Sequence, residues 1–325
     1  MRNLSRREFL RLCGATGAAL GLTHTLGPEI AEALSGPAAG QPPVVWLQGG
    51  SCSGCSVSLL NGVQPDIATV LTKVISLEFH QTLMAANGDA AIDLLVAARE
   101  RYAGQYYLVV EGAVSAGDKA MYCSLGERGD APVSFLDRVR TMAAGAKAVV
   151  AVGTCATFGG IPAAGANPAG SRPVSAVVSG VPLINVPGCP IHPDRVLGTL
   201  VHVIKYGIPE LDHLGRPTVF FGKCVHDLCE RRPLFEEGKF AKRLSEPGCL
   251  YKLGCKGPMS FNDCPVRKYN NGTNWCVGAN SPCLACVEPE FPDKSSPFFQ
   301  RMPEYGPAGT PSPQPRQGKL IGGEK

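Results

Sequence analysis

Val44-Val45-Trp46-Leu47-Gln48-Gly49-Gly50-Ser51-Cys52-Ser53-Gly54-Cys55 is the stretch that decides how this chain is read. An apolar, strand-like run ends abruptly in two glycines and a Cys-x-x-Cys pair. Further along, Lys73–Phe79, Tyr106–Glu111, Lys147–Gly153 and Leu183–Val186 repeat the pattern of runs rich in β-branched and aromatic residues. Helical patterns stand between some of them, over Gly88–Tyr102 and Ser134–Ala144. Strands alternating with helices predict an α/β fold, a doubly wound parallel sheet. Chemistry-bearing residues sit where these strands end. Cys52 and Cys55 follow the first run, Glu111 ends the third, Cys155 follows the fourth and Cys189 the fifth. Open α/β sheets bind ligands at the carboxyl ends of their strands, so a single cluster in that crevice would use all four thiols. Glycines crowd the same turns (Gly49, Gly50, Gly54, Gly153, Gly159, Gly160 and Gly188) and would let backbone N–H groups approach a ligand closely. No G-x-G-x-x-G or Walker pattern follows a strand, which argues against a phosphate site.

Fourteen cysteines among 325 residues exceed what an ordinary enzyme core carries. Cys224, Cys229, Cys249, Cys255, Cys264, Cys276, Cys283 and Cys286 crowd into the last third, with His226 among them. No compact ferredoxin run is present, so any cluster must be assembled from loops brought together by the fold. Disulfides, structural zinc and iron–sulfur clusters all suit such a chain. The leader tilts the balance. Ser5-Arg6-Arg7-Glu8-Phe9-Leu10 is a twin-arginine signal, followed by a modest apolar stretch to Leu26 and a cleavage candidate at Ala31-Glu32-Ala33. That route exports proteins already folded, commonly with metal cofactors inserted, and favours iron–sulfur. Residues 1–33 therefore read as a signal peptide and the mature protein as periplasmic.

Composition agrees with a globular exported protein. Apolar residues make up 44% and charged residues 18%, and a net charge of +4 without a Lys/Arg block argues against a nucleic-acid partner. The apolar stretch of the leader is short and glycine-broken, and no second long one follows, so no permanent membrane anchor is expected. Residues 300–325 are polar and Pro/Gly-rich and read as a flexible tail.

From the leader to about Phe299, the chain resembles the small subunit of nickel–iron hydrogenases. The resemblance is carried by Cys52-x-x-Cys55, Gly153-Thr-Cys155-Ala with Gly159-Gly160-Ile-Pro, and Val186-Pro-Gly-Cys189-Pro. It continues through Val225-His226-Asp-Leu-Cys229, Pro247-Gly-Cys249, Leu253-Gly-Cys255-Lys-Gly-Pro258 and Cys283-Leu-Ala-Cys286-Val-Glu-Pro289. The resemblance implies a flavodoxin-like domain over 42–206 and a loop-rich cluster-binding domain over 207–299. It implies a proximal [4Fe–4S] cluster on Cys52, Cys55, Cys155 and Cys189, and a distal one on His226, Cys229, Cys249 and Cys255. A medial cluster would sit on Cys264, Cys283 and Cys286.

Cys276 is the departure that matters. Most members carry proline there and hold a [3Fe–4S] medial cluster. A fourth thiolate permits a complete [4Fe–4S] cube, as in the nickel–iron–selenium branch, and should lower its potential. Gly54 and Gly160 stand where oxygen-tolerant members carry two additional proximal cysteines, so their protective cluster is not expected. Cys13 goes with the leader, and Cys123 and Cys224 read as small buried residues. For Glu111 a polar role beside the proximal cluster and a capping or interface role both stand open.

The implied function is electron transfer in a heterodimeric hydrogenase. The nickel–iron centre would lie in a separate large subunit, and the acceptor would be a periplasmic c-type cytochrome or similar protein. A rival is an electron-transfer subunit of a respiratory complex, which shares the proximal motif but lacks the medial and distal set. A colourless zinc or disulfide scaffold is the other.

Overall fold

The computed structural model describes residues 41–129, 131–296 and 298. The twin-arginine motif, Cys13, the Ala31-Glu32-Ala33 cleavage candidate and the 300–325 tail lie outside the described residues. Five strands form the central sheet: β1 Pro43–Gln48, β2 Ser76–His80, β3 Tyr107–Glu111, β4 Ala148–Val152 and β5 Leu183–Val186. All neighbouring pairs are parallel, in the order β2-β1-β3-β4-β5. From β1 the chain moves outward to β2, then crosses back to β3 on the other side. The carboxyl ends of β1 and β3 therefore flank a topological switch point, as in flavodoxin-like sheets.

Side chains alternate between two buried faces because strand periodicity is two. Val44, Trp46, Val109, Val150 and Val186 point to one face, where helix α5 (Pro193–Tyr206) packs Val196, Leu200 and Val203 against them. Val45, Leu47, Leu108, Val110 and Val149 point to the other, covered by α2 (Gly88–Arg101) and α3 (Phe135–Ala144). Two shorter helices start at the sheet's carboxyl edge, α1 at Gly54–Leu60 and α4 at Gly153–Phe158. The expected strands and helices are all present, with one late start. Asp66 caps the turn ahead of it by accepting from the Thr69 amide at 2.8 Å, and the chain stays helical to Val74. The strand expected over Lys73–Phe79 consequently begins only at Ser76.

Beyond Gly222 the chain is a succession of turns and one-turn helices, among them α6 (Val225–Leu228) and α7 (Cys264–Arg267). Its own apolar cluster is small: Val225, Ala241, Leu250, Cys264, Trp275 and Val277. This half is fastened to the sheet by side chains from both. Phe220, Phe221 and Val287 join the α5 side of the sheet core. Buried Arg216 pairs with Asp212 at 2.8 Å and Glu288 at 3.1 Å, and the Phe261 amide donates to Glu288 at 2.7 Å.

Candidate metal centres

Three of the five strands deliver thiols at the carboxyl edge of the sheet, and β3 delivers Glu111. Cys52 and Cys55 lie where β1 runs into α1, Cys155 in the first turn of α4 after β4, and Cys189 three residues past β5. The turn at Gly153 explains how they come so close. Its φ is +82°, and a Cβ built there would lie 2.5 Å from Cys55 Sγ, so only glycine lets α4 start against that thiol. Gly160 is a second such point. With φ +50°, a Cβ there would lie 2.9 Å from the Cys155 amide nitrogen.

These four thiols form one electrostatic group. Burial pushes the Cys155 thiol up to about 12, and the neighbouring Cys189, Cys52 and Glu111 charges add to it. Burial and then Glu111 raise Cys55 well above the ordinary thiol range, with Cys155 and Cys189 contributing. Thiols whose ionisation is opposed both by burial and by one another suit a site completed by a positive metal core.

Glu111 supports this centre from beneath. Only 1% exposed, its carboxylate accepts from the Cys55 amide at 3.1 Å, the Ser56 amide at 3.3 Å, Trp46 Nε1 at 3.1 Å and Gln48 Nε2 at 3.2 Å. The Ser56 hydroxyl also donates to it and lies 3.1 Å from His80 Nε2. Of the roles left open for Glu111, the capping one is realised. It ties the first turn of α1, and with it Cys55, to the end of β3.

A second group gathers in the C-terminal half. Burial and then the Cys264 charge push Cys286 up to about 12, with Cys276 and Cys189 adding to it. Burial raises Cys283 well above the thiol range, with Cys255, Cys286 and Cys264 behind it. Cys276 is exposed in this chain, and its thiol is raised by burial of the group and then by Cys264. Thr154 locks this group to the first. Its hydroxyl donates to the Cys286 carbonyl and accepts from the Gly188 amide at 3.0 Å.

His226, Cys229, Cys249 and Cys255 line one cavity, together with Tyr251 and Trp275. His226 is half-buried and stacked edge-on to Phe235 at 4.6 Å. Burial and then Arg232 lower its pKa, which keeps the imidazole neutral and able to donate a lone pair. Backbone amides already address the sulfurs, from Arg231 to Cys229 at 3.4 Å and from Cys283 to Cys255 at 3.3 Å.

All thirteen described cysteines are free, so no disulfide joins them. Among the described residues no three His, Cys, Asp or Glu side chains converge tightly enough for a single metal ion. Cys224 is buried and its thiol donates to the Gly257 carbonyl at 3.3 Å, while Cys123 packs against the α2–α3 side of the core. Sequence reasoning missed Arg195, which reaches from α5 to Cys264, and His80 with Ser56 beside Glu111. A lone arginine or histidine carries no spacing signal, so only the fold reveals them.

Residues 52–203 match the family of the NADH ubiquinone oxidoreductase 20 Kd subunit, and residues 221–299 match the family of the C-terminal region of the NiFe/NiFeSe hydrogenase small subunit. The first match alone would also suit the respiratory-complex rival. The second separates them. The periplasmic [NiFeSe] hydrogenase small subunit of Desulfomicrobium baculatum is 45% identical over 313 residues, covering 91% of this chain and 99% of that one. The periplasmic [NiFe] hydrogenase small subunit of Solidesulfovibrio fructosivorans is 40% identical over 303 residues, covering 92% of this chain and 93% of that one. The structure of H2-activated, anaerobically purified D. baculatum [NiFeSe]-hydrogenase superposes with a TM-score of 0.78 at 44% identity, covering 81% of this chain and 100% of that one. The chain belongs to the small-subunit family of NiFe and NiFeSe hydrogenases.

Proposed function

We propose that this chain is the electron-transferring small subunit of a heterodimeric periplasmic hydrogenase and holds three [4Fe–4S] clusters. The observation that carries the reading is the grouping of the twelve donors. Cys52, Cys55, Cys155 and Cys189 stand at the sheet edge, Cys264, Cys276, Cys283 and Cys286 behind them, and His226, Cys229, Cys249 and Cys255 around the outer cavity. Donors that line a cavity, as His226, Cys229, Cys249 and Cys255 do, rather than converge on one ion, fit a cube better than zinc. Bound there, the clusters would supply one-electron chemistry between the nickel–iron centre of a large subunit and an external acceptor.

The chain's own residues do the rest. Eleven cysteines provide anionic sulfur, and His226 provides a neutral ligand that raises the potential at the outer end. The Arg231 and Cys283 amides donate to sulfurs and steady them. Glu111 fixes the Cys55 backbone. The large subunit would dock over the sheet's carboxyl edge. Val57, Leu60 and Val63 at α1 and Ile161 beyond α4 expose apolar side chains there, whereas the faces of the sheet are already covered. The names of the periplasmic relatives and the twin-arginine leader support export of the assembled complex. Among the described residues no helix is long and apolar enough to cross a membrane.

EPR of the oxidised heterodimer tests the ligand set. Four medial thiolates give a diamagnetic cluster, so wild type is expected to lack a stoichiometric three-iron signal and Cys276→Pro to gain one. A full three-iron signal in undamaged wild type, with iron at about eleven rather than about twelve per small subunit, overturns the medial assignment.

A further inference from the structure

Arg195 is a charged side chain in an unusual place. It lies in the first turns of α5, on the sheet side of the boundary, and is 0% exposed. Its Nε donates to Asp263 Oδ1 at 2.9 Å, and its Nη2 lies 2.8 Å from the same oxygen. Nη2 also donates to Cys264 Sγ at 3.1 Å, and the guanidinium stacks over Phe221 at 5.5 Å. Nη1 is buried with no hydrogen-bond partner among the described residues. A buried guanidinium N–H is costly to leave unmade, and arginine stays charged in a protein. Asp263 also accepts from Arg267 Nε at 2.7 Å, and Arg267 in turn pairs with Asp194 at 3.1 Å, so neither carboxylate supplies an acceptor for the free Nη1.

We propose that Arg195 is the positioning residue that sets the medial cluster's potential, its Nη2 holding the Cys264 sulfur and its free Nη1 donating to a second sulfur acceptor of the bound cluster. The inference rests on the reading of Cys264 as a medial ligand. One added electron makes a cluster more negative, and a fixed cation with N–H···S bonds stabilises that state more than the oxidised one. Arg195 thus raises the medial potential. It acts against Cys276, whose extra thiolate lowers it. The pairing also explains why the arginine sits on α5. A long side chain anchored in the rigid sheet half places its charge beside a sulfur held by loops.

The test is an EPR-monitored redox titration of the heterodimer carrying Arg195→Gln or Arg195→Lys, with iron content measured alongside. Arg195→Gln is expected to lower the medial midpoint potential while the proximal and distal potentials stay in place. Arg195→Lys, which keeps the charge but loses the forked donor, should lower it less. An unchanged medial potential in Arg195→Gln at full iron content overturns the proposal, as does an equal shift of all three clusters. Should Arg195→Gln lose the medial signal, wild type grown with ¹⁵N-guanidino arginine decides. A nitrogen coupling on the reduced medial cluster that disappears in Arg195→Lys supports the assignment, and no such coupling overturns it. Cys264→Ala separates this failure from failure of the underlying reading. If that variant keeps the medial signal and its iron, the ligand set is at fault and not the role of Arg195.

Discussion

The sheet half and the C-terminal half hold buried thiols by opposite means. In the first, a large apolar cluster on each face of a parallel sheet fixes the strand ends, and the cysteines ride on a frame built mainly of other residues. In the second, the separate apolar cluster among the described residues has six buried members, one of them Cys264 itself, while Phe220, Phe221 and Val287 pack into the sheet core instead. Regions with so little to bury rely on metals or cross-links for stability, and no disulfide is present among the described residues. On the proposed reading, the ligands of the C-terminal half would therefore be structural as well as electronic, and those of the sheet half mainly electronic.

The largest effect that would break this contrast comes from removing the iron. Hydrogen exchange of the chelated heterodimer is expected to show near-complete loss of amide protection across Val225–Val287, with the amides of β3 and β4 still protected. Equal loss in both halves would mean that the sheet, too, needs its cluster to fold.

A smaller effect is expected where the halves are fastened. Arg216→Ala leaves Asp212 and Glu288 facing each other without their cation, and breaking such a buried pair from one side costs about 3–5 kcal/mol. Chemical denaturation should show the loss in the C-terminal transition, and Arg216→Met should cost about as much because the two carboxylates remain. A loss confined to the sheet transition would put the fastening elsewhere. Glu288, which burial raises above the usual carboxylate range despite Arg216, should titrate higher still in both variants.

The smallest effect belongs to the sheet half alone. Burial lowers the pKa of His80 from 6.5 to about 4, although the Glu111 charge pulls the other way. Between those values the unfolded chain binds a proton that the folded one does not, so stability rises with pH across the window and is lost as pH falls from 6.5 towards 4. The sheet transition of His80→Gln should depend less steeply on pH there than that of wild type. An identical slope would show that His80 is charged in the folded protein. In the native protein its ring resonances should not titrate between about pH 8 and about pH 5.

Much of the sheet could be read from residue pattern, because a strand buried on both faces writes itself as an unbroken apolar run such as Ala148-Val149-Val150-Ala151-Val152. The one late start, at β2, arose because Lys73–Ile75 has the same β-branched character whether it ends a helical turn or begins a strand. The twelve candidate donor positions came from a different logic. Their spacing matched a family, and thiols in such number need a metal or a partner. Pattern could not reach the contacts between distant segments. Glu111 against the Cys55 amide spans 56 residues, Thr154 to the Cys286 carbonyl 132, and Arg195 to Cys264 69.

The sequence by itself determined the strand and helix order, the family and the candidate ligands, since these follow from local periodicity and from residue type at fixed spacing. Only the tertiary structure decided which carboxylate braces Cys55, which hydroxyl ties the Cys286 carbonyl to the sheet edge and which cation lies against Cys264. Those depend on crossover geometry and on the burial of single polar side chains, and a buried charge leaves no periodic trace in the chain that carries it.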